Sequence, residues 1–256
     1  MIGFVGEDAE TAASEVTAGL RESDIQIAPI QLTEADGVEV VVALDEATLL
    51  ALTRTGVETP ILPVGTNGGL ASAPREELEA AINAINDGSS DVQKVPTLAV
   101  TTPGDTYRAL MDVMLVTTEP AKISEYQVSL TRDGARSTVD RVRADGVVVA
   151  SPAGTPGYGT AAEGPILESG VEAVSVVPIG PFRIDQSQWV LSLPLALQVM
   201  REEVPTSLVV DDVAVGQVGE GTAVELEWGP PIRLVQTPVS VGPLVDERGA
   251  RETARQ

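Results

Sequence analysis

The stretch VVVALDEATLLAL, Val40 to Leu52, sets two carboxylates, Asp45 and Glu46, between a run of apolar residues and the first turns of a helix. A carboxylate beside a bound hydroxyl can take its proton, and the strand-to-helix junctions of α/β proteins are where ligands are held. Asp45 and Glu46 are therefore candidate catalytic residues. The same pair also suits a plain helix start, because Asp accepts a bond from a first-turn amide and Glu is favoured at the positive end of the helix dipole. On these residues alone both readings stand. Carboxylates matter more than usual in this chain, which has no cysteine and no histidine. That composition excludes disulfides, thiol nucleophiles, ordinary zinc sites and Ser-His-Asp chemistry. Acid–base work falls to carboxylates, tyrosines or one of two lysines, Lys94 and Lys122.

A second candidate segment is RADGVVVASPAGTPGYGTAAEGPI, Arg143 to Ile166. Within it, Gly157 to Ala162 fits the loose dinucleotide pattern G-x-G-x-x-A, but no helical pattern follows and the flanking segments are strand-like. That excludes a βαβ fingerprint.

The elements that must position these residues fall into two halves. MIGFV reads as a buried strand and Ala9 to Leu20 as a helix; IQIAPIQL, GVEVVVAL and TPILPVG read as further strands. A helix is expected from about Thr48, and another over Pro74 to Asn86, with proline at its start and acids in its first turn. Such alternation predicts a Rossmann-like α/β domain with a parallel sheet. After Val95 the chain becomes a series of short strands, with AVELEWG and IRLVQT as two separate ones near the end. Closely spaced strands with Gly, Pro and Asp between them predict a β-sandwich domain. The expected organisation is residues 1–98 as the α/β nucleotide-binding domain, 99–245 as the β-sandwich domain, and 246–256 as a polar tail.

Read whole, the Arg143–Ile166 segment resembles the NAD kinase family, with Asp145-Gly146, the strand VVVA, Ser151 to Tyr158 in place of a TPTGSTAY-like loop, and Glu163-Gly164-Pro165 for a Gly-Gly-Pro. ILPVGTNGGL resembles the family's strand and G-x-N-x-G turn, ALMDV its Asn-acid pair, VSVVPIGPF its ITPICPH-like strand, and LVVDDVAVGQVGEGTAVEL its late Asp-Gly hairpin. The order is kept along nearly the whole chain. The resemblance implies an α/β domain joined to a β-sandwich with the site in the cleft between them. It also implies phosphoryl transfer from ATP or polyphosphate, with Mg²⁺ on the donor, to the adenosine 2′-hydroxyl of NAD. The family's GGDGT turn falls on Leu44-Asp45-Glu46-Ala47-Thr48, so the catalytic aspartate falls on Glu46 and the glycines are replaced.

Carried over residue by residue, the resemblance marks Thr48, Asn67, Asp112, Arg143, Asp145, Thr155, Tyr158 and Thr160 as nucleotide-binding positions. Asn67 would donate to the ligand or simply serve its turn. Asp145 would accept from an adenine amino group or a ribose, or form an ordinary Asp-Gly turn. Tyr158 would stack on a ring or pack its own loop. Met111 replaces the family's Asn, and Ala153, Pro156 and Ala161 replace hydroxyl residues, leaving Thr155 and Thr160 as donors. Asp211-Asp212 reads as a hairpin turn. Two functions follow: an NAD kinase-like enzyme with Glu46 as base, or a catalytically impaired homologue that binds NAD(P) or another nucleotide as a sensor. Assembly as a dimer or tetramer is the family's expectation.

The charge narrows the partners. The chain carries 38 acidic against 16 basic residues, a formal net of −22, yet 43% of it is hydrophobic. Such a surface repels nucleic acid and anionic membranes. With almost no lysine and few aromatic residues, it suits a cytoplasm of molar salt, as in a halophilic archaeon. The first residues, MIGFVGEDAE, show no signal-peptide pattern and no apolar run is long enough to span a membrane, so a cytoplasmic location is expected.

Overall fold

The computed structural model describes residues 1–20, 25–66, 69–119, 122–182 and 187–242. The chain divides into two compact units, Met1–Val95 together with the segment that begins at Ile232, and Pro96–Pro231. The stretch from Ile232, assigned from sequence to the β-rich half, thus groups with the first unit. The polar tail 246–256 lies outside the described residues, as does Asn67.

The first unit is built on a parallel sheet. β1 (Ile2–Val5) lies between β2 (Ile27–Pro29) and β3 (Val40–Ala43), β3 pairs with β4 (Ile61–Pro63), and β4 pairs with the end of β16 (Ala223–Gln236) through Leu234 and Ile61. These strands are short and apolar because they are covered; Phe4, Val41, Val42, Ile61 and Leu62 are fully buried. α1 (Ala9–Gly19) buries Ala9, Ala12, Ala13 and Val16, small residues at helical spacing that bring it close to the sheet. α2 (Glu46–Thr55) starts two residues earlier than expected, buries Leu49, Leu50, Leu52 and Thr53, and ends at Gly56 in the left-handed conformation. α3 (Leu78–Asn86) follows a 3₁₀ turn at Arg75–Glu77. Because β1 is joined to β2 on one side and β3 lies on the other, the order in which strands are added reverses between β1 and β3 while all of them stay parallel. Ligands of such sheets bind outside the carboxyl ends of the strands at that reversal.

The second unit is antiparallel. One sheet runs β12 (Trp189–Leu191), β11 (Val174–Ile179), β10 (Gly146–Ala150), β7 (Asp112–Thr117), β14 (Thr206–Val210) and β15 (Val213–Val218). The other joins the beginning of β16 to β13 (Leu195–Arg201), β8 (Ser124–Arg132) and β9 (Ala135–Ala144), with β5 (Asp91–Thr101) and β6 (Thr106–Ala109) paired beside them. Alternate residues point inward, Tyr126, Val128 and Leu130 on β8 and Leu195, Leu197 and Val199 on β13. They meet Val113, Leu115, Val147, Val149, Leu208 and Val210 of the facing sheet in one apolar core. β16 is a single 14-residue strand where two were expected. The sequence Gly229-Pro230-Pro231 reads as a breaker, but extended backbone accepts proline, and the Pro230 carbonyl still accepts a hydrogen bond from the Thr97 hydroxyl at 2.8 Å.

Candidate functional site

In the first unit the acidic pair sits at the carboxyl end of β3, beside the reversal of strand order. Asp45 is the N-cap of α2, with extended backbone (φ −159°, ψ 170°), and its Oδ1 accepts the Thr48 amide at 2.7 Å. Glu46 is the first helical residue and is half-buried. Gly6, just past β1, runs alongside: a Cβ there would lie 3.3 Å from Asp45 Oδ2 and 3.4 Å from Thr48 Oγ1. Asp8, from the same turn, pairs with Arg75 at 3.1 Å. The turns after β1 and β3 thus supply Glu7, Asp8, Asp45 and Glu46. A helix N-terminus ordinarily attracts anions, but here the capping carboxylate already satisfies the Thr48 amide and the added negative charge opposes a polyanion. Among the described residues no group of three or more carboxylates could hold a metal ion. A divalent ion at this turn would therefore be held mainly by phosphate oxygens, with one or two carboxylates assisting.

In the second unit the loop after β10 does most of the shaping. Ser151 donates its amide to Met111 O at 2.8 Å and its hydroxyl to Leu110 O at 2.6 Å. Thr155–Gly159 form a wide helical turn interrupted at Gly157, which exposes Tyr158 to 42%. Tyr158 lines a cleft of about 390 Å³ with Ala162, Glu163, Ile179, Gly180 and Pro181, within the size range of small-ligand sites. Gly180 has φ +55°, and a Cβ on it would stand 2.8 Å from Asp145 Oδ2, so the Asp145 carboxylate lies directly against this wall. Asp145 is fixed by its backbone, its amide donating to Ile179 O at 2.9 Å and its carbonyl accepting from Thr117 at 2.8 Å. The Arg143 guanidinium lies 5.4 Å from the Phe182 ring centroid, and the Phe182 amide donates to Arg143 O at 2.9 Å. A ring with an aromatic side chain beside it and a carboxylate against the wall is what the cleft suits: a planar, hydrogen-bond-donating group.

The structure therefore places Tyr158 in the cleft and Asp145 against its wall at Gly180, while Arg143 contacts Phe182, the residue that follows the lining segment. It gives the two threonines a different use. Thr155 is fully buried; its hydroxyl donates to Pro152 O at 3.1 Å and accepts the Leu167 amide at 3.0 Å. Thr160 donates to Thr155 O at 2.6 Å. Each hydroxyl has one proton, and in both cases the loop itself holds it. Asp112 is 93% hidden, at the start of β7 opposite Ala150. Asp211-Asp212 forms the turn between Val210 and Val213, as expected. Sequence reasoning missed Gly180 as part of the cleft, and missed the Asp211 carboxylate, which accepts the amides of Leu110, Met111 and Asp112.

By architecture this is a two-unit protein, a doubly wound α/β sheet and a β-sandwich, with an acid-bearing turn in one and a ring-sized cleft in the other. Comparison with known proteins narrows the class. Residues 110–227 match the family model of the ATP-NAD kinase C-terminal domain. The chain is 34% identical over 144 residues to an NAD kinase of Methanothermobacter thermautotrophicus, a match covering 56% of this chain and 50% of that one. It thus spans about half the length of that relative. Among solved structures it resembles an NAD kinase from Archaeoglobus fulgidus in complex with ATP, with TM-score 0.72, 22% identity and 93% of each chain covered. It also resembles yeast NADH kinase complexed with NADH, with TM-score 0.78, 16% identity, and 99% of this chain and 87% of that one covered. The chain has the NAD kinase fold, and all three kinds of comparison support that family.

Proposed function

We propose that the protein is an NAD kinase-type phosphotransferase, moving a phosphoryl group from ATP or polyphosphate to the adenosine 2′-hydroxyl of NAD. The observation that carries the reading is the pairing of a family match over residues 110–227 with a cleft in that same region that is lined by Tyr158 and whose wall residue Gly180 lies against the Asp145 carboxylate. Tyr158 would stack on a ring of NAD and Asp145 would accept from its amino or hydroxyl groups. Glu46 would take the 2′-hydroxyl proton, at the turn where the strand order of the α/β sheet reverses. Mg²⁺ would arrive on the donor and neutralise charge on its phosphates. In this chemistry the protein chiefly positions reactants, so each misplaced group is costly; a displacement of an ångström costs on the order of a hundredfold in rate.

A second reading is favoured by a different observation. Asp45 is engaged as a helix cap, and Leu44 and Ala47 stand where glycines would let a phosphate approach the amides. On that reading the chain is a nucleotide-binding homologue that senses NAD(P) without turnover. Titration of the chain with NAD in concentrated KCl, followed by calorimetry, tests what the two readings share. Binding that falls about tenfold, or ~1.4 kcal/mol, in Tyr158→Ala is expected. No heat of binding with NAD, NADP or ADP would sink both.

A further inference from the structure

The corner between β6 and β7, Leu110-Met111-Asp112, is gripped from two sides by residues distant in sequence. From one side Asp211, at the tip of the β14–β15 hairpin, turns its carboxylate inward. Oδ1 accepts the Met111 amide at 2.7 Å and the Asp112 amide at 3.2 Å, while Oδ2 accepts the Leu110 amide at 3.0 Å. The Asp211 amide returns a bond to Asp112 O at 2.9 Å. From the other side Ser151 takes the carbonyls of Leu110 and Met111, and Gly154 passes so close that a Cβ would stand 2.1 Å from Met111 O. Asp211 is 92% hidden and holds φ +52°, a conformation that aspartate adopts only at some cost. Successive amides converging on one anion form a nest of the kind that elsewhere binds phosphate. Here the protein's own carboxylate fills it, so the corner has no amides to offer a ligand, and its contribution must come from the side chains it carries.

We infer that Asp211 is a positioning residue: by occupying this backbone nest it fixes the corner that carries Asp112, and through Asp112 it sets nucleotide affinity. This rests on the kinase-type reading, with Asp112 as the nucleotide-binding position that the sequence resemblance marks. A charged acceptor shared among three buried amides is stronger than neutral bonds, and it leaves donors orphaned if removed. Asparagine at 211 keeps one acceptor and tolerates the same backbone, but sets its NH₂ against one of the three N–H groups.

The test is a double-mutant cycle on NAD affinity, measured by calorimetry in concentrated KCl with Asp211→Asn, Asp112→Asn and the pair. Thermal melts of each variant give the temperature at which all are folded. The expected result is a loss of about tenfold in each single variant and no further loss in the pair, because both act through one group. Asp211→Glu keeps the charge but displaces it by a methylene, and carries the same expectation should the asparagine variant not fold. A lower melting temperature with NAD affinity within twofold of the unsubstituted protein would make Asp211 merely structural and overturn the inference. So would losses that multiply in the pair, or an Asp112→Asn variant with unchanged affinity. Failure of the unsubstituted protein to bind NAD would instead overturn the functional reading, and this inference with it.

Discussion

At the scale of single residues, Asp45 and Glu46, which the sequence left open to the same two readings, are placed differently on α2. Asp45 is committed to the Thr48 amide at 2.7 Å, so its replacement is a helix-cap loss. Asp45→Ala is expected to lower stability by about 1 kcal/mol, read from chemical denaturation, whereas Asp45→Ser, which can still cap, should change it by less. An equal loss in both variants would show that capping is not what the carboxylate does. Glu46 follows in the first turn, where its charge favours the helix dipole.

At the scale of elements, the order of strands and helices in the first unit was readable because buried parallel strands leave continuous apolar runs and the helices between them carry caps. GVEVVVAL and the helix after it appear as β3 and α2, though the helix begins at Glu46 because Asp45 caps it. β16 was misread as two strands, since Pro230-Pro231 carries no sign that a hydroxyl 133 positions away would hold the strand's carbonyl. The site was legible in part for the same reason. Asp145 and Tyr158 lie in one distinctive segment, while Asp211 is about a hundred positions from the amides it binds, and Asp-Asp between apolar runs signals only a turn.

The sandwich also makes a prediction of its own. Tyr126 on β8 is fully buried, and burial, with the nearby Asp145 and Glu202 carboxylates adding to it, raises its phenol above the ordinary value of 10.0. A phenol that stays protonated to higher pH in the folded state gives stability that is complete below pH 10 and is lost as pH rises toward the folded value. Denaturation midpoints measured from pH 8 to 11 should therefore fall above pH 10. Tyr126→Phe should flatten part of that fall; an unchanged alkaline slope would assign it to other groups.

At the scale of the whole molecule, the formal charge of −22 is the dominant fact. Like charges repel over a screening length of about 10 Å at 0.1 M salt and about 3 Å at 1 M. The compact state should therefore gain stability as salt rises, with the melting temperature climbing from 0.1 to 2 M KCl by several degrees and beginning to level off once screening is short-ranged. A melting temperature indifferent to salt over that range would mean that acidic side chains are too far apart or too well hydrated to matter. No helix among the described residues is long and apolar enough to cross a membrane. The large antiparallel core of the second unit, with Tyr126, Leu115, Leu195 and Leu197 fully buried, explains how so acidic a chain still folds.

The central claim is phosphoryl transfer with Glu46 as the base, and one assay reaches it directly. Purified protein in concentrated KCl is given NAD, Mg²⁺ and either ATP or polyphosphate, and NADP is followed with an NADP-specific dehydrogenase, beside a Glu46→Gln control that differs by one charge. The account predicts NADP formation with at least one donor and a fall of a hundredfold or more in the control, within the range expected for loss of a general base. NADP no greater than in the control, in a protein that still binds NAD, would contradict it and leave the sensor reading.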